Sequence, residues 1–403
     1  MADQAGSTGA PPDRRRVVVT GLGVVAACGM GRQAYWAGLN TVPKDGVRRI
    51  EQFEPERYFD SPKDARRTDR FAQFALAAAA EAMEQAGDLR ADPARVGVLI
   101  GTGVGGLATL EEQILNYHTK GPRKVSPFLV PMMMSNAAAA AVSMRYGLQG
   151  PCECTVTACA AGTHSIGDAA RVIRDGRCDA MVAGGSEAAL TPVGMQGFMN
   201  MTALSSTGIS RPFDKDRDGF VIAEGAAVLV LEELEHARSR GVPILGEIMG
   251  AANTADAYHI TAPSPGGVGA VLCMELALAD AGITTADIRQ INAHGTSTPL
   301  NDAAETDALV KVFGLPGPPV TSTKGVTGHA LGAAGALEAA AVLLSIEHEL
   351  IPPTAGHKHP DPDIAPIDIV CGEGRPWTPG PALSNSFGFG GHNGTLVIGP
   401  PPA

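Results

Sequence analysis

An α/β fold is predicted by three features of this 403-residue chain. Val-rich runs of strand length alternate with Ala-rich stretches of helix length. Aromatic residues are scarce, at 4%, while Gly (50 residues) and Ala abound, which suits closely packed helix-on-sheet layers better than an aromatic-rich binding surface. No short period repeats along the chain, which argues against a solenoid. With 44% hydrophobic residues the chain can bury a large core, as one domain or as two fused halves.

Residues 1–14 read as a disordered tail: the stretch Met1 to Asp13 is polar and Pro/Gly-rich, and lacks the apolar centre of a signal peptide. The run Val17 to Ala27 is Val-rich but interrupted by Gly21 and Gly23, so a strand with a turn inside it is expected, starting at 16–20. Further strands are expected at 96–102, 152–158, 179–184, 226–231, 290–294, 319–323, 382–386 and 395–398. Helices are expected at 71–87, 134–146, 162–175, 268–281, 302–313 and 331–348. Nowhere do about 18 apolar residues follow one another, so no membrane span is expected. A looser symmetry divides the chain into halves at 15–250 and 251–403. Cys159 lies on a strand-turn-helix unit in the first half, and His294 and Lys324/His329 on similar units in the second. Each falls at the C-terminal end of a strand, where open α/β sheets place their sites.

Composition excludes several classes. The net charge of −11, with basic residues interspersed among acids, argues against nucleic acid as a partner. Seven cysteines (28, 152, 154, 159, 178, 273 and 371) with no regular spacing point to a reducing cytoplasm rather than a disulfide framework. Cys152 and Cys154 would share one face of a strand, but no second pair follows at zinc-like spacing, so the pair reads as structural filler. The glycines of 101–106 lack the Lys-Ser/Thr and the downstream ribose-binding acid of nucleotide sites, and nucleotide binding is rejected.

The chemistry gathers elsewhere. The stretch Glu153 to Cys159 reads as a buried strand and Ala160 to Ile173 as a helix. A thiol at such a turn faces free N–H groups and the positive end of the helix dipole, both of which favour the thiolate; an inert buried cysteine is the alternative. His294 ends the run Ile291-Asn-Ala-His294, before an Asp302/Glu305 capping pattern. His329 closes Lys324-Gly-Val-Thr-Gly-His329. Both histidines sit in Gly/Thr-rich loops where a substrate can approach. A cysteine nucleophile with two imidazoles suits acyl transfer through a thioester, with imidazole N–H groups holding a developing enolate or oxyanion. A zinc site built from Cys159, His294 and His329 lacks a tight ligand pair, and no metal is expected. Glycines flank Phe389 in Ser384 to Asn393, so backbone N–H groups there can approach a ligand, as an oxyanion hole requires.

Together Thr157-Ala-Cys159-Ala-Ala-Gly, His294-Gly-Thr-Ser-Thr-Pro, Lys324-x-x-x-Gly-His329-x-x-Gly-Ala-Ala-Gly and Gly388-Phe-Gly-Gly391 resemble the β-ketoacyl-[acyl carrier protein] synthases. The resemblance is closest to the elongating type II branch and related type II polyketide ketosynthases, and runs from about residue 15 to 399 in order. It implies a thiolase-like five-layered αβαβα sandwich of two similar halves, usually dimeric. The implied reaction is a decarboxylative condensation: Cys159 takes an acyl chain from acyl carrier protein, and His294 and His329 support decarboxylation of malonyl carrier protein. The N–H groups of Cys159 and Phe389 would form the oxyanion hole, and the Phe389 side chain would gate entry. Lys324 matches the family's active-site lysine, with Glu338 its charge partner and Glu305 a second buried acid.

The resemblance further implies pantetheine contacts from Thr296 and Thr298 and an acyl pocket lined by Val104, Met133 and Phe198. Arg66, Arg67, Arg123, Lys124 and Lys215 would meet the acidic carrier protein. No cofactor is implied beyond the carrier's phosphopantetheine. The partner in the dimer would be a second copy or a chain-length-factor-like subunit. A non-catalytic partner role is the alternative for the chain itself, although such subunits usually lack the nucleophile. Three departures argue against a housekeeping fatty-acid role: the segment between Phe53 and Phe71 is shorter than in typical elongating synthases, the loop from Leu204 to Pro212 is brief, and Leu300-Asn-Asp302 follows the histidine motif in the style of specialised ketosynthases.

Overall fold

The computed structural model describes residues 14–41 and 45–402. The expected tail therefore lies outside the described residues apart from Arg14, whose guanidinium pairs with Asp280 at 2.7 Å.

Two five-stranded arrays with the same pattern form the frame. In the first, Cys152–Glu153, Val96–Gly101 and Ala180–Glu187 run parallel, and Gly225–Glu233 and Val17–Ala26 continue antiparallel. In the second, Val320–Thr321, Gln290–Asn292 and Ala382–Gly388 run parallel, and His392–Gly399 and Gly246–Ala255 continue antiparallel. The arrays join where Val18 and Val19 pair with Glu247 and Gly246. Two helices, Ala161–Arg174 and Ala334–His348, pack between them. The second is buried along its whole length up to Ile346. Outer helices Arg70–Ala86 and Val268–Ala281 cover the far faces. The duplicated, layered thiolase-like sandwich is thus present.

Leu331–His348 is long and apolar enough to cross a membrane, with a mean hydropathy of 1.3, but it is 89% buried within the protein. Its apolar character belongs to the middle layer of the core.

Several local expectations are corrected. Val17–Ala26 is one continuous, fully buried strand with a register shift near Thr20, not a strand with a turn. Its glycines serve packing. A Cβ on Gly21 would lie 2.1 Å from the Ala82 carbonyl, and one on Gly23 would lie 1.9 Å from that of Ala78. The expected strand 152–158 shrinks to Cys152–Glu153, exposed at the sheet edge. Gly246–Ala255, rich in Gly and Ala and poor in β-formers, is a strand absent from the expected set. It also spans the expected division at 250/251. Helices Arg32–Leu39, Leu107–Lys120, Pro192–Asn200 and Leu234–Arg240 were not expected either. In Leu107–Lys120 the only buried residues are Thr109 and Gln113, while Ile114, Leu115 and Tyr117 are exposed, so an inward-facing apolar stripe is missing.

Candidate active site

The two middle helices meet at their N-terminal ends through glycine. A Cβ on Gly162 would lie 2.8 Å from the Ala336 nitrogen, and one on Gly335 would lie 2.0 Å from Thr163 Oγ1. This close approach brings together the turns that precede the two helices. One carries Cys159, in the 3₁₀ turn Ala158–Ala160, and the other carries His329. Ala158 has φ +49°, a left-handed conformation that costs a non-glycine residue about 1–3 kcal/mol. His329 Nε2 lies 3.0 Å from Cys159 Sγ. The His329 main chain is pinned from outside, its N–H donating to Val221 O at 2.7 Å and its carbonyl accepting from Ala223 N–H at 3.0 Å.

The parallel strands of the second half deliver the other groups from their C-terminal ends. His294 follows Gln290–Asn292, and its ring is T-shaped to His329 with centroids 5.4 Å apart. Lys324 follows Val320–Thr321; its ammonium lies 3.3 Å from His294 Nδ1, donates to His294 O at 2.6 Å and pairs with Glu338. The loop after Ala382–Gly388 carries Phe389, whose backbone N–H donates to the Cys159 sulfur. Glu305 accepts the N–H groups of His294 (2.8 Å) and Gly295 (2.7 Å), fixing the histidine turn.

Cys159, His294 and His329 line a cavity of about 590 Å³ together with Thr296, Thr298, Phe220, Leu300 and Phe389 among others. Thr298 also caps helix Pro299–Phe313 and lies 3.0 Å from Thr296 across their hydroxyls. Within its lining, Phe220 packs edge-on against His329 with ring centroids 5.1 Å apart.

Electrostatics correct one expectation. Burial pushes the Cys159 thiol up to about 11, against the Phe389 N–H and the Lys324 charge, which pull it down. A helix N-terminus offers roughly 0.3–1 kcal/mol, less than one pKa unit, so burial wins and the resting group is a thiol. The same burial, reinforced by Lys324, holds both His294 and His329 well below the usual histidine range, so both rings are neutral. Glu305 and Glu338 are raised by burial to about 7. A neutral His329 at hydrogen-bond distance from a thiol can take its proton.

Cys159, His294 and His329 place their donor atoms within 4.8 Å of one another, a spacing a metal ion can bridge. The Lys324 ammonium against His294 opposes a cation at that point.

Other expected site residues are dispersed. Phe198 packs against the apolar cluster of Cys159, Phe220 and Leu331. Val104 and Met133 do not line the cavity: Val104 is 45% exposed, and Met133 packs under Gly106, whose N–H its carbonyl accepts. Arg66, Arg67, Arg123, Lys124 and Lys215 are all exposed, with the Arg67 guanidinium 4.2 Å above the Phe128 ring. Phe387, Asn393 and His164 are contributors that the motifs did not single out. Phe387 lies 6.0 Å from the His294 ring, and Asn393 lines the cavity. The sole hint of His164 is a polar run, Thr163-His164-Ser165, inside a buried helix.

Comparison with known proteins follows the same lines. Residues 40–237 match the model of the beta-ketoacyl synthase N-terminal domain, and residues 245–358 that of its C-terminal domain. The chain is 46% identical to a 3-oxoacyl-[acyl-carrier-protein] synthase 2 of Synechocystis sp., covering 96% of this chain and 98% of that one. A protein of the same name from Coxiella burnetii is 45% identical, with 96% and 99% covered. Among solved structures, the ishigamide ketosynthase/chain length factor superposes with a TM-score of 0.90 at 33% identity, over 97% of this chain and 100% of that one. A type II polyketide acyl-carrier protein in complex with its ketosynthase bound to a hexaketide gives 0.87 at 35%, with the same coverage. Matches of this extent, across both duplicated halves, make the chain a member of the β-ketoacyl synthase family.

Proposed function

We propose that this chain is an acyltransferase that extends an acyl chain held on Cys159, using malonyl-[acyl carrier protein] to give 3-oxoacyl-[acyl carrier protein] and CO2. The setting is fatty-acid or type II polyketide synthesis. The observation that carries the reading is His329 Nε2 at 3.0 Å from Cys159 Sγ, with a second neutral imidazole beside it in the cavity lining.

Cys159 attacks the thioester of an acyl carrier protein while its proton passes to His329. The C–S bond to the phosphopantetheine breaks, and that sulfur leaves with the proton. Malonyl carrier protein then loses CO2, and the enolate oxygen accepts from the Nε2–H of His294, with the His329 ring beside it. Its carbon attacks the acyl-Cys159 carbonyl. The tetrahedral oxyanion accepts from the backbone N–H groups of Cys159 and Phe389, and Cys159 departs as a thiolate that takes up a proton from solvent. Lys324, Glu338 and Glu305 organise the histidines. Thr296 and Thr298 bind the pantetheine, Phe389 gates entry, and no cofactor besides the carrier's own arm takes part. A non-catalytic partner role is disfavoured because nucleophile, lysine and both histidines converge.

The carrier protein would dock near the exposed Arg66, Arg67, Arg123, Lys124 and Lys215. A dimer, with a second copy or a chain-length-factor-like subunit, would bury Ile114, Leu115 and Tyr117 together with the edge Cys152–Glu153. All seven cysteines are unpaired, in keeping with a cytoplasmic setting.

Mass spectrometry of Cys159 after exposure to carrier-bound primers of graded length tests the reading and reports the accepted chain. Elongation retained by Cys159→Ala would overturn it.

A further inference from the structure

His164 lies on the helix that follows the nucleophile, is 4% exposed and does not itself line the cavity. Its two nitrogens nonetheless reach both arms of the oxyanion hole. Nε2 lies 3.0 Å from the carbonyl of Asn393, four residues beyond Phe389. Nδ1 lies 2.9 Å from the hydroxyl of Thr157, two residues before Cys159.

The partners fix the tautomer. A carbonyl only accepts, so Nε2 carries the proton. Burial keeps the ring neutral by holding it below the usual histidine range, so Nδ1 is bare and accepts from Thr157. One face of the contact belongs to the first half of the fold and the other to the Ala382–Gly388/His392–Gly399 hairpin of the second. The ring fills its seat: a Cβ on Gly394 would meet His164 Cδ2 at 2.8 Å. The hairpin is already pressed on the nucleophile turn, since a Cβ on Gly388 would meet the Cys159 nitrogen at 3.0 Å. Between Thr157 and Cys159 sits the left-handed Ala158, a conformation that persists only when its surroundings hold it.

We infer that His164 is a positioning residue for acyl transfer: a neutral strut between Thr157 and Asn393 that sets the separation of the Cys159 and Phe389 N–H donors. It contacts no substrate. Its effect falls chiefly on stabilisation of the tetrahedral oxyanion and only slightly on the thiol, which the Phe389 N–H also touches. The inference rests on the condensing role proposed for Cys159.

The test compares two rates at the same sulfur in His164→Leu, His164→Gln and Thr157→Val. Single-turnover acyl transfer from an acyl carrier protein requires the oxyanion hole, whereas alkylation by iodoacetamide does not. Transfer should fall by roughly 10- to 100-fold in His164→Leu and about tenfold in Thr157→Val, since small misplacements of oxyanion donors carry such costs. Alkylation should stay near the wild-type rate. His164→Gln, which keeps a donor at the Nε2 position, should recover most of the loss. Transfer unchanged in folded Thr157→Val, alkylation falling in parallel with transfer, or no recovery by Gln would each overturn the inference. Should His164→Leu not fold, Thr157→Val decides alone. A wild-type protein that forms no acyl-Cys159 would instead sink the condensing role itself, before any variant is compared.

Discussion

Lys324 Nζ lies 3.3 Å from His294 Nδ1, and this contact decides which nitrogen of the imidazole bears the proton. An ammonium only donates, so Nδ1 accepts and the Nε2–H is left for the cavity. The ammonium also donates to the His294 carbonyl and pairs with Glu338, so one cation fixes both the ring and the loop that carries it.

Replacing Lys324 should therefore separate stability from chemistry. Lys324→Met leaves the buried Glu338 carboxyl without its cation, and breaking a buried pair from one side costs about 3 kcal/mol. Adding Glu338→Leu removes the orphan and should restore most of the melting temperature. Decarboxylation of malonyl carrier protein should stay depressed in both variants, because the tautomer of His294 is no longer imposed. Recovery of decarboxylation in the double variant would show that Lys324 serves the fold alone.

The thiol of Cys159 makes a prediction with a definite sign. With its pKa raised to about 11 by burial, its thiolate fraction grows about tenfold per pH unit below that point. Iodoacetamide alkylation followed from pH 7 to 10 should rise throughout. A plateau near pH 7 would mean a resting thiolate, as the helix-terminus argument alone suggests. His329→Ala should slow acyl transfer far more than alkylation at high pH, since the missing group is the proton acceptor.

That contrast shows where sequence stops. Four motifs name Cys159, His294, Lys324, His329 and Phe389 because their chemistry needs unusual residue types beside glycine. The alternation of Val-rich and Ala-rich runs announces the layers. Burial is collective, however. The climb of the Cys159 pKa depends on Phe220, Leu331 and Ala189 arriving from distant segments. Gly246–Ala255 is hidden for a related reason: a Cβ on its Gly250 would lie 2.5 Å from the Ala277 carbonyl, so contact with a helix selects glycine against β-propensity. Surface helices such as Leu107–Lys120 lack the apolar stripe that periodicity seeks. Val104 and Met133, assigned by resemblance, are not among the residues that line the cavity of the single chain.

Glu305 predicts an unusual pH dependence of stability. Its carboxyl is raised by burial from 4.5 to about 7, against the two N–H groups it accepts. The folded protein thus holds a proton that the unfolded chain releases between those values. The stability linked to this group is fully present below about pH 4.5 and is lost as pH rises through 7. Melting temperatures of wild type and Glu305→Gln from pH 5 to 8 should show a flatter profile for the variant. Parallel profiles would mean that Glu305 stays ionised throughout.

The junction of the middle helices offers the last test. Gly335 faces Thr163 so closely that an added methyl would lie 2.0 Å from its hydroxyl oxygen, with Ser386 Oγ only 2.9 Å away. Neither neighbour is a flexible tip, because Thr163 and Ser386 are hydrogen-bonded to each other at 2.7 Å in the core. Gly335→Ala must push the helices apart, at a cost of about 1–3 kcal/mol. The same displacement separates the turn before Ala161–Arg174 from the turn before Ala334–His348, and hence Cys159 from His329. Acyl transfer should fall in the folded variant beyond what its lowered melting temperature explains. Thr163→Ala in the same chain vacates the space nearest the new methyl and should recover part of both losses. If Gly335→Ala loses stability but keeps the wild-type transfer rate, the Cys159–His329 contact is set by the Val221–Ala223 segment that holds His329 from outside rather than by the helix junction.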